Sequence, residues 1–430
     1  MQTCTGGLHK IISGFDALQH QRDFSASRLW PMTSFANLST IGQSHNIPGM
    51  SPQPLSIIGA GLGGVTLGRA LLERGIPVVL YERATSAPRH GYGISLHAST
   101  YKPLLKMLNM DESTFRKSVA VDAAVGGNGS IDPKRLVCPR EVTSTSFRAH
   151  RERLEKLIRQ GLDIKWEHGL EKLEQTPNGT TLYLQNESSI EGQTCIVGAD
   201  GVHSLTRKSI LREAGLDVLP FVTFNGKRKV SRTTFDDVYA PAMRGSNVIE
   251  THNNGAFLQV SVNDITTDQA SVSWVYSRPT KGSSDRCFKP NRLLSDATKI
   301  SNEFYQEVTA LEGLSQPFSE IFDADKMKED RVLTWLMRTS NVDLPQLYQL
   351  ASNGIFLMGD SAHSQAILGG EGANIAISDG LTLAEAIAAK QGETITNWYS
   401  KRFPAWEESL KTSKATIEDM HKEEAPKAKV

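Results

Sequence analysis

Three clusters of glycines and acids are spaced for chemistry in this 430-residue chain. The first is GAGLGG at 59–64, which sets Gly59, Gly61 and Gly64 in a G-x-G-x-x-G spacing with Glu82 downstream. The first glycine permits a tight turn, the second lets a pyrophosphate approach the backbone, and the third lets a helix pack closely on a strand. The N-terminus of that helix offers unpaired N–H groups and a positive partial charge to phosphates. Glu82 is placed to accept both hydroxyls of an adenosine ribose. The second cluster is GADGVHSLTR at 198–207, where Asp200-Gly201 precedes Ser204 and Arg207. An acid at the carboxyl end of a parallel strand faces the ligand crevice of an open α/β sheet. Its plain alternative is to cap the next helix. The third cluster is GDSAHSQAILGGEGANIAISDG at 359–380. Asp360 ends a buried strand there, and Gly369, Gly370 and Gly372 make a loop so poor in side chains that a planar ligand can lie against its backbone. His363 reads as a packing or backbone-bonding residue rather than a general base.

Regular elements must bring these clusters together. Residues 55–58 form an apolar strand, 65–74 a helix closed by Gly75, and 77–81 a second buried strand, a compact β–α–β unit. Residues 195–199 and 355–358 are two further buried strands, each ending in an acid. The spacing predicts a helix over 148–160, with Leu154, Leu157 and Ile158 on one face. A hairpin is expected at Asn178-Gly179, leading into 181–184. Residues 220–280 read as antiparallel sheet: Phe257, Leu258, Val260 and Val262 follow Asn254-Gly255, and Val272, Trp274 and Tyr276 alternate. Helices are expected over 291–312, 373–390 and 394–421.

Composition narrows the function classes. Hydrophobic residues are 39% and charged residues 22%, an ordinary globular balance. Lys plus Arg and Asp plus Glu are both 47, so no general basic surface for nucleic acid is expected. Apolar runs stop at four or five residues, against the ~20 a membrane span needs. Cys4, Cys138, Cys195 and Cys287 are far apart, which argues against a zinc ribbon, a redox dithiol or a disulfide scaffold. No metal site is expected, and a reducing, cytoplasmic setting is the simplest reading. Residues 1–50 carry few charges and no period, and read as a disordered extension, with an organelle-targeting segment as the alternative.

Taken together, in this order, the three motifs resemble the class A flavoprotein monooxygenases, the para-hydroxybenzoate hydroxylase-like family. The resemblance covers roughly residues 52–410, and YERATSAPRHGYGISL (81–96) and GGEGAN (369–374) look most like fungal secondary-metabolism members. It implies an α/β fold: a doubly wound, Rossmann-like FAD-binding domain (51–215 and 341–395) interleaved with an antiparallel β-sheet substrate domain (216–340), followed by a C-terminal helix and tail (396–430). It also implies FAD as cofactor, with NADPH or NADH docking transiently, since no second G-x-G-x-x-G is present.

By the same resemblance, Gly93 lines the cofactor, and Arg151, with Leu154 behind it, matches an Arg-x-x-Leu helix that contacts FAD. Asp200 serves both FAD and nicotinamide. Asp360 meets the ribityl–pyrophosphate portion, and Gly372, Ala373 and Asn374 lie at the pyrimidine side of the ring. Ala366 and Ile367 stand where many members carry proline, which puts simple phenol ortho-hydroxylation in doubt and leaves epoxidation or another oxygen insertion open. The implied activity uses NAD(P)H and O2 to insert one oxygen atom into an aromatic or polyketide- or terpenoid-type molecule. The rivals are an FAD-dependent dehydrogenase or oxidase on the same fold, and a flavin-binding protein without turnover. Tyr239 is a candidate to position or protonate a substrate oxygen, Arg232 to stabilise an anionic one, and Trp335 to wall the pocket.

Overall fold

The computed structural model describes residues 53–88, 91–138, 142–211, 215–389 and 395–422. The expectation for residues 1–50 therefore lies outside the described residues. Among these, the strands are β1 (Leu55–Ile58), β2 (Val78–Glu82), β3 (Gly93–Leu96), β4 (Phe147–His150), β5 (Ile164–Trp166), β6 (Leu170–Thr176), β7 (Gly179–Leu184), β8 (Ser189–Gln193) and β9 (Ile196–Gly198). They continue with β10 (Asp217–Val218), β11 (Phe221–Ser231), β12 (Val248–Asn253), β13 (Ala256–Ile265), β14 (Gln269–Pro279), β15 (Leu333–Trp335), β16 (Arg338–Asn341), β17 (Ile355–Leu357) and β18 (His363–Ser364).

A five-stranded parallel sheet runs β17-β9-β1-β2-β5. β1, β9 and β17 are short, mostly apolar runs buried at every position, as parallel strands covered on both faces require. One face packs on the helices Leu62–Leu72 and Gly372–Ala388 in the largest core cluster. The other face packs on the three-stranded sheet β6–β8 through Ile58, Tyr81, Ile196 and Ile355. β3 and β4 form a separate two-stranded ribbon.

The second large sheet is antiparallel, in the order β12-β13-β14-β11-β15. The β12–β13 hairpin turns on Asn254 and Gly255, both with positive φ (48° and 72°), which suits a tight two-residue hairpin turn. Residues alternate between its faces. Val222, Phe224, Val260, Val272 and Trp274 enter a core with Phe304 and Phe322. Thr223, Asn225, Lys227, Gln259, Ser261, Asn263 and Ser273 fall on the opposite face by register. That polar face meets the ribbon: Arg148 Nε donates to Val262 O (2.8 Å), and Gly93 N–H to Asn263 Oδ1 (3.1 Å).

Two expected helices differ. Over 148–160, Phe147–His150 pairs with β3, and only Arg151–Ile158 is helical. Alternate residues Phe147 and Ala149 are needed in the core, and that period wins over the helical one. Over 291–312, a 3-10 turn at Leu294–Thr298 precedes a helix of only Asn302–Thr309. Asp296 accepts from Leu293 N–H (3.2 Å), a local bond that competes with a continuous helix. The helices at Gly372–Ala388 and Ile395–Met420 fall where expected, the second with Pro404 inside.

Candidate flavin site

The fingerprint glycines divide into two kinds. Gly59 has φ +100°, and a Cβ there would stand 2.5 Å from Ala199 O. A Cβ on Gly64 would stand 2.1 Å from Gly59 O. Both glycines are demanded by the protein itself. A Cβ on Gly61 would meet nothing within 4 Å, so the open space in front of it is what a ligand would fill. Glu82, buried at the end of β2, accepts from Ala60 N–H (2.8 Å) and Ala84 N–H (2.9 Å), which ties the turn to the second strand.

Helix Leu62–Leu72 starts at Gly61 with no side-chain cap, and helix Gly372–Ala388 starts after Glu371 likewise. The two pack through glycine: a Cβ on Gly63 would lie 3.2 Å from Ala376 O, and one on Gly380 would lie 2.9 Å from Gly63 O. They run in the same direction at this contact, so two uncapped N-termini open at one end of the sheet. Each carries a positive partial charge there.

Asp360 follows β17 at the same end. A Cβ on Gly372 would lie 3.8 Å from its Oδ1. The half-buried carboxylate accepts no hydrogen bond from the described residues, and burial pushes its carboxyl up from the usual range. Arg207, fully buried, donates to Val202 O (2.8 Å) and to Ser361 O (2.7 Å), so it buckles the Asp-Gly loop to the Gly-Asp turn. Asp200 stands at the end of β9 as expected, but its carboxylate is engaged by helix Leu205–Ile210. It accepts from Ser204 Oγ (2.6 Å), Leu205 N–H (2.8 Å) and Thr206 N–H (3.0 Å).

Arg151 opens its helix and donates its N–H to Tyr92 O (3.0 Å). Its guanidinium lies over the Tyr92 ring at 5.4 Å and bonds the Tyr92 hydroxyl, while its buried Nε makes no hydrogen bond. Gly93 is packed under Arg148, whose Nε a Cβ would approach to 2.5 Å. Asn374 Oδ1 accepts from His97 N–H (3.0 Å) and its Nδ2 donates to Ser95 O (3.0 Å), so it staples the helix start, with Ala373, to β3. Beside it, Glu371 reaches His97 Nε2 at 2.8 Å.

Tyr239 and Arg232 are not brought to this end. Tyr239 is fully buried in the core on the other face of the antiparallel sheet, its hydroxyl bonded to Glu320. Arg232 pairs with Asp236 one helical turn away, in an exposed ion pair at 2.9 Å. Trp335 pairs with Thr223 and so shares the polar face. His363 is buried and stacked on Trp406, a packing role, with Asp379 as an added partner at 2.8 Å. Sequence reasoning missed Arg207 and Asp379 as organisers of the site. It also missed the polar stripe on the antiparallel sheet, although the alternation of Gln259, Ser261 and Asn263 carries that signal in the sequence.

The open cradle at Gly61, in front of an uncapped helix N-terminus, fits a bound dinucleotide whose diphosphate sits at that helix start. Residues 53–400 match the FAD binding domain family. The chain is 30% identical over 393 residues to the FAD-dependent monooxygenase adaC of Aspergillus niger, covering 87% of this chain and 94% of that protein. It is likewise 30% identical over 393 residues to the FAD-dependent monooxygenase nscC of Neosartorya fischeri, covering 86% and 96%. In fold it is similar to 2,6-dihydroxypyridine-3-hydroxylase from Arthrobacter nicotinovorans (TM-score 0.63, 15% identity, 88% and 96% covered). It is similar also to a variant of Klebsiella pneumoniae HpxO complexed with FAD (TM-score 0.58, 16% identity, 86% and 90% covered). With the match spanning most of the chain and the cradle built for its cofactor, the chain belongs to the FAD-dependent monooxygenases of class A, alongside fungal members of secondary metabolism.

Proposed function

We propose that this monooxygenase uses NAD(P)H and O2 to insert one oxygen atom into a planar, oxygen-rich aromatic molecule of polyketide type. The observation that carries the substrate class is the polar face of β11, β13 and β14. With their amides donating to Trp274 O and Glu250 Oε1, Asn225 and Gln259 present carbonyl oxygens along one plane, Ser273, which accepts from Asn263, keeps its hydroxyl proton, and Trp335 flanks them on the next strand. A flat polyoxygenated ring system satisfies such a face while stacking on the indole. Residues 51–215 with 341–395 serve as the flavin domain and 216–340 as the substrate domain. No described helix is long and apolar enough to cross a membrane.

FAD, when bound, supplies the redox and oxygen-activating chemistry. The chain's share is placement. The helix start at Gly61 would hold the diphosphate and that at Gly372 would face the pyrimidine side of the ring, while Arg207 fixes the two loops beside them. The polar sheet face orients the substrate, and the loop at Ala366–Ile367 leaves the ring side free of proline. The site must also exclude water from the reacting centre.

The test is direct. Purified protein should be yellow with one FAD per chain, and should oxidise NADPH or NADH faster with an aromatic polyketide from a substrate screen. Under isotope-labelled O2, one labelled atom should enter the product. Substrate oxidised without label would make the protein a dehydrogenase or oxidase on this fold.

A further inference from the structure

Asp379, on helix Gly372–Ala388, is fully buried and collects five hydrogen bonds on one carboxylate. Its Oδ2 accepts from Gly359 N–H at 3.0 Å and lies 2.8 Å from His363 Nε2. Its Oδ1 accepts from Arg402 Nε (3.0 Å), Arg402 Nη2 (2.7 Å) and Trp406 Nε1 (3.0 Å). The donors come from the turn that carries Asp360, from β18 and from the C-terminal helix Ile395–Met420. We propose that Asp379 is a positioning residue for the flavin site, anchored by Arg402 of the C-terminal helix so that it can hold the Gly359–Ser361 turn in place. That helix becomes a working part of the cofactor site, although neither Arg402 nor Trp406 belongs to the cradle. The inference rests on FAD binding alone, and not on the substrate proposed above.

The physical case is one of charge. A buried carboxylate is costly unless paired and fully hydrogen-bonded. The groups facing Asp379 are His363 from β18, Arg402 and the Tyr399 phenol from the C-terminal helix, and the like charge of Asp360 from the turn. Burial pushes the Asp379 carboxyl up, but His363 and Arg402 outweigh it and hold the group below its usual range. Removing the guanidinium takes away one of the two partners that offset burial, so the carboxyl takes up its proton at a higher pH than in the wild type. A protonated acid has less acceptor capacity for Gly359 and its other donors. The turn then loosens, and Asp360 loses its place beside Gly372.

Apoprotein of Arg402→Gln, Arg402→Lys and wild type would be titrated with FAD from pH 8 to pH 4.5. Wild-type affinity should vary by less than about threefold across this range. That of Arg402→Gln should fall by about tenfold or more toward the acid end, one proton changing the affinity by at most about tenfold per pH unit. Arg402→Lys, which keeps the charge, should restore the flat profile. A merely structural Arg402 would lower the apoprotein melting temperature while leaving FAD affinity independent of pH, and that result would overturn the proposal. Should Arg402→Gln fail to fold, Trp406→Phe removes one donor without changing charge. It should weaken FAD several-fold with a flat pH profile, and unchanged affinity would overturn the proposal.

Discussion

Asp360 and Glu82 both end strands of the parallel sheet, but they stand in opposite debts to the protein. Glu82 accepts from two backbone N–H groups, so Glu82→Ala would orphan them at about 1–3 kcal/mol for each that stays buried. The expected outcome is a lower melting temperature of the apoprotein together with weaker FAD. Asp360 accepts nothing from the described residues and is pushed up by burial, so it costs the apoprotein stability when ionised. The sign follows: for an acid raised in the fold, the penalty is full above its folded pKa and vanishes below its unfolded one. Apoprotein of Asp360→Asn should therefore melt higher than wild-type apoprotein at pH 7, with the gap closing toward pH 4. Asp360→Ala should nevertheless bind FAD roughly tenfold to a hundredfold more weakly, read by flavin fluorescence. An apoprotein that loses stability on Asp360→Asn would show that the carboxylate has a structural partner.

Elements explain which residues could be read in advance. The fingerprint was legible because its glycines answer a local geometry: a strand, a turn and a helix within 59–82. Its two kinds of glycine now predict different failures. Gly61 has φ −73° and open space, so Gly61→Ala should leave the apoprotein melting temperature unchanged and still cripple FAD binding. Gly64→Ala would drive a methyl into Gly59 O, so both stability and binding should fall. Equal losses in the two variants would refute this division. Asp379 was not legible, because its partners Arg402 and Trp406 meet it only when a later helix folds back over the site. Tyr239 misled for the complementary reason. A tyrosine beside a sheet says nothing about which face it takes, and this one faces the helix-covered core.

At the scale of the whole molecule, the flavin half is assembled from distant stretches. The order β17-β9-β1 places Ile355–Leu357 next to Ile196–Gly198, with the entire antiparallel sheet made between them in sequence. Period and composition revealed each strand as buried but not this adjacency, and the resemblance to a known family implied only a discontinuous domain of 51–215 with 341–395. The three motifs proposed to face the cofactor all lie beyond residue 58, so removing residues 1–49 should leave FAD content and melting temperature unchanged. A large loss of either would show that the segment supports the fold.

The late arrival of β17 also sets a timetable for biosynthesis. As the chain leaves the ribosome, β1, β2 and β9 emerge long before Ile355–Leu357, and the outer edge of β9 has no strand to pair with until then. An unpaired edge of wholly buried, apolar residues is a template for intermolecular pairing. Asp360 and the Gly372 helix start emerge later still, so, with these two in the proposed cofactor site, the nascent chain should not load FAD while that edge is open. Chains stopped between residues 200 and 350 should accumulate as aggregates that added flavin does not rescue, whereas the full chain stays soluble. For this protein, a premature stop produces an aggregation hazard as well as a missing enzyme.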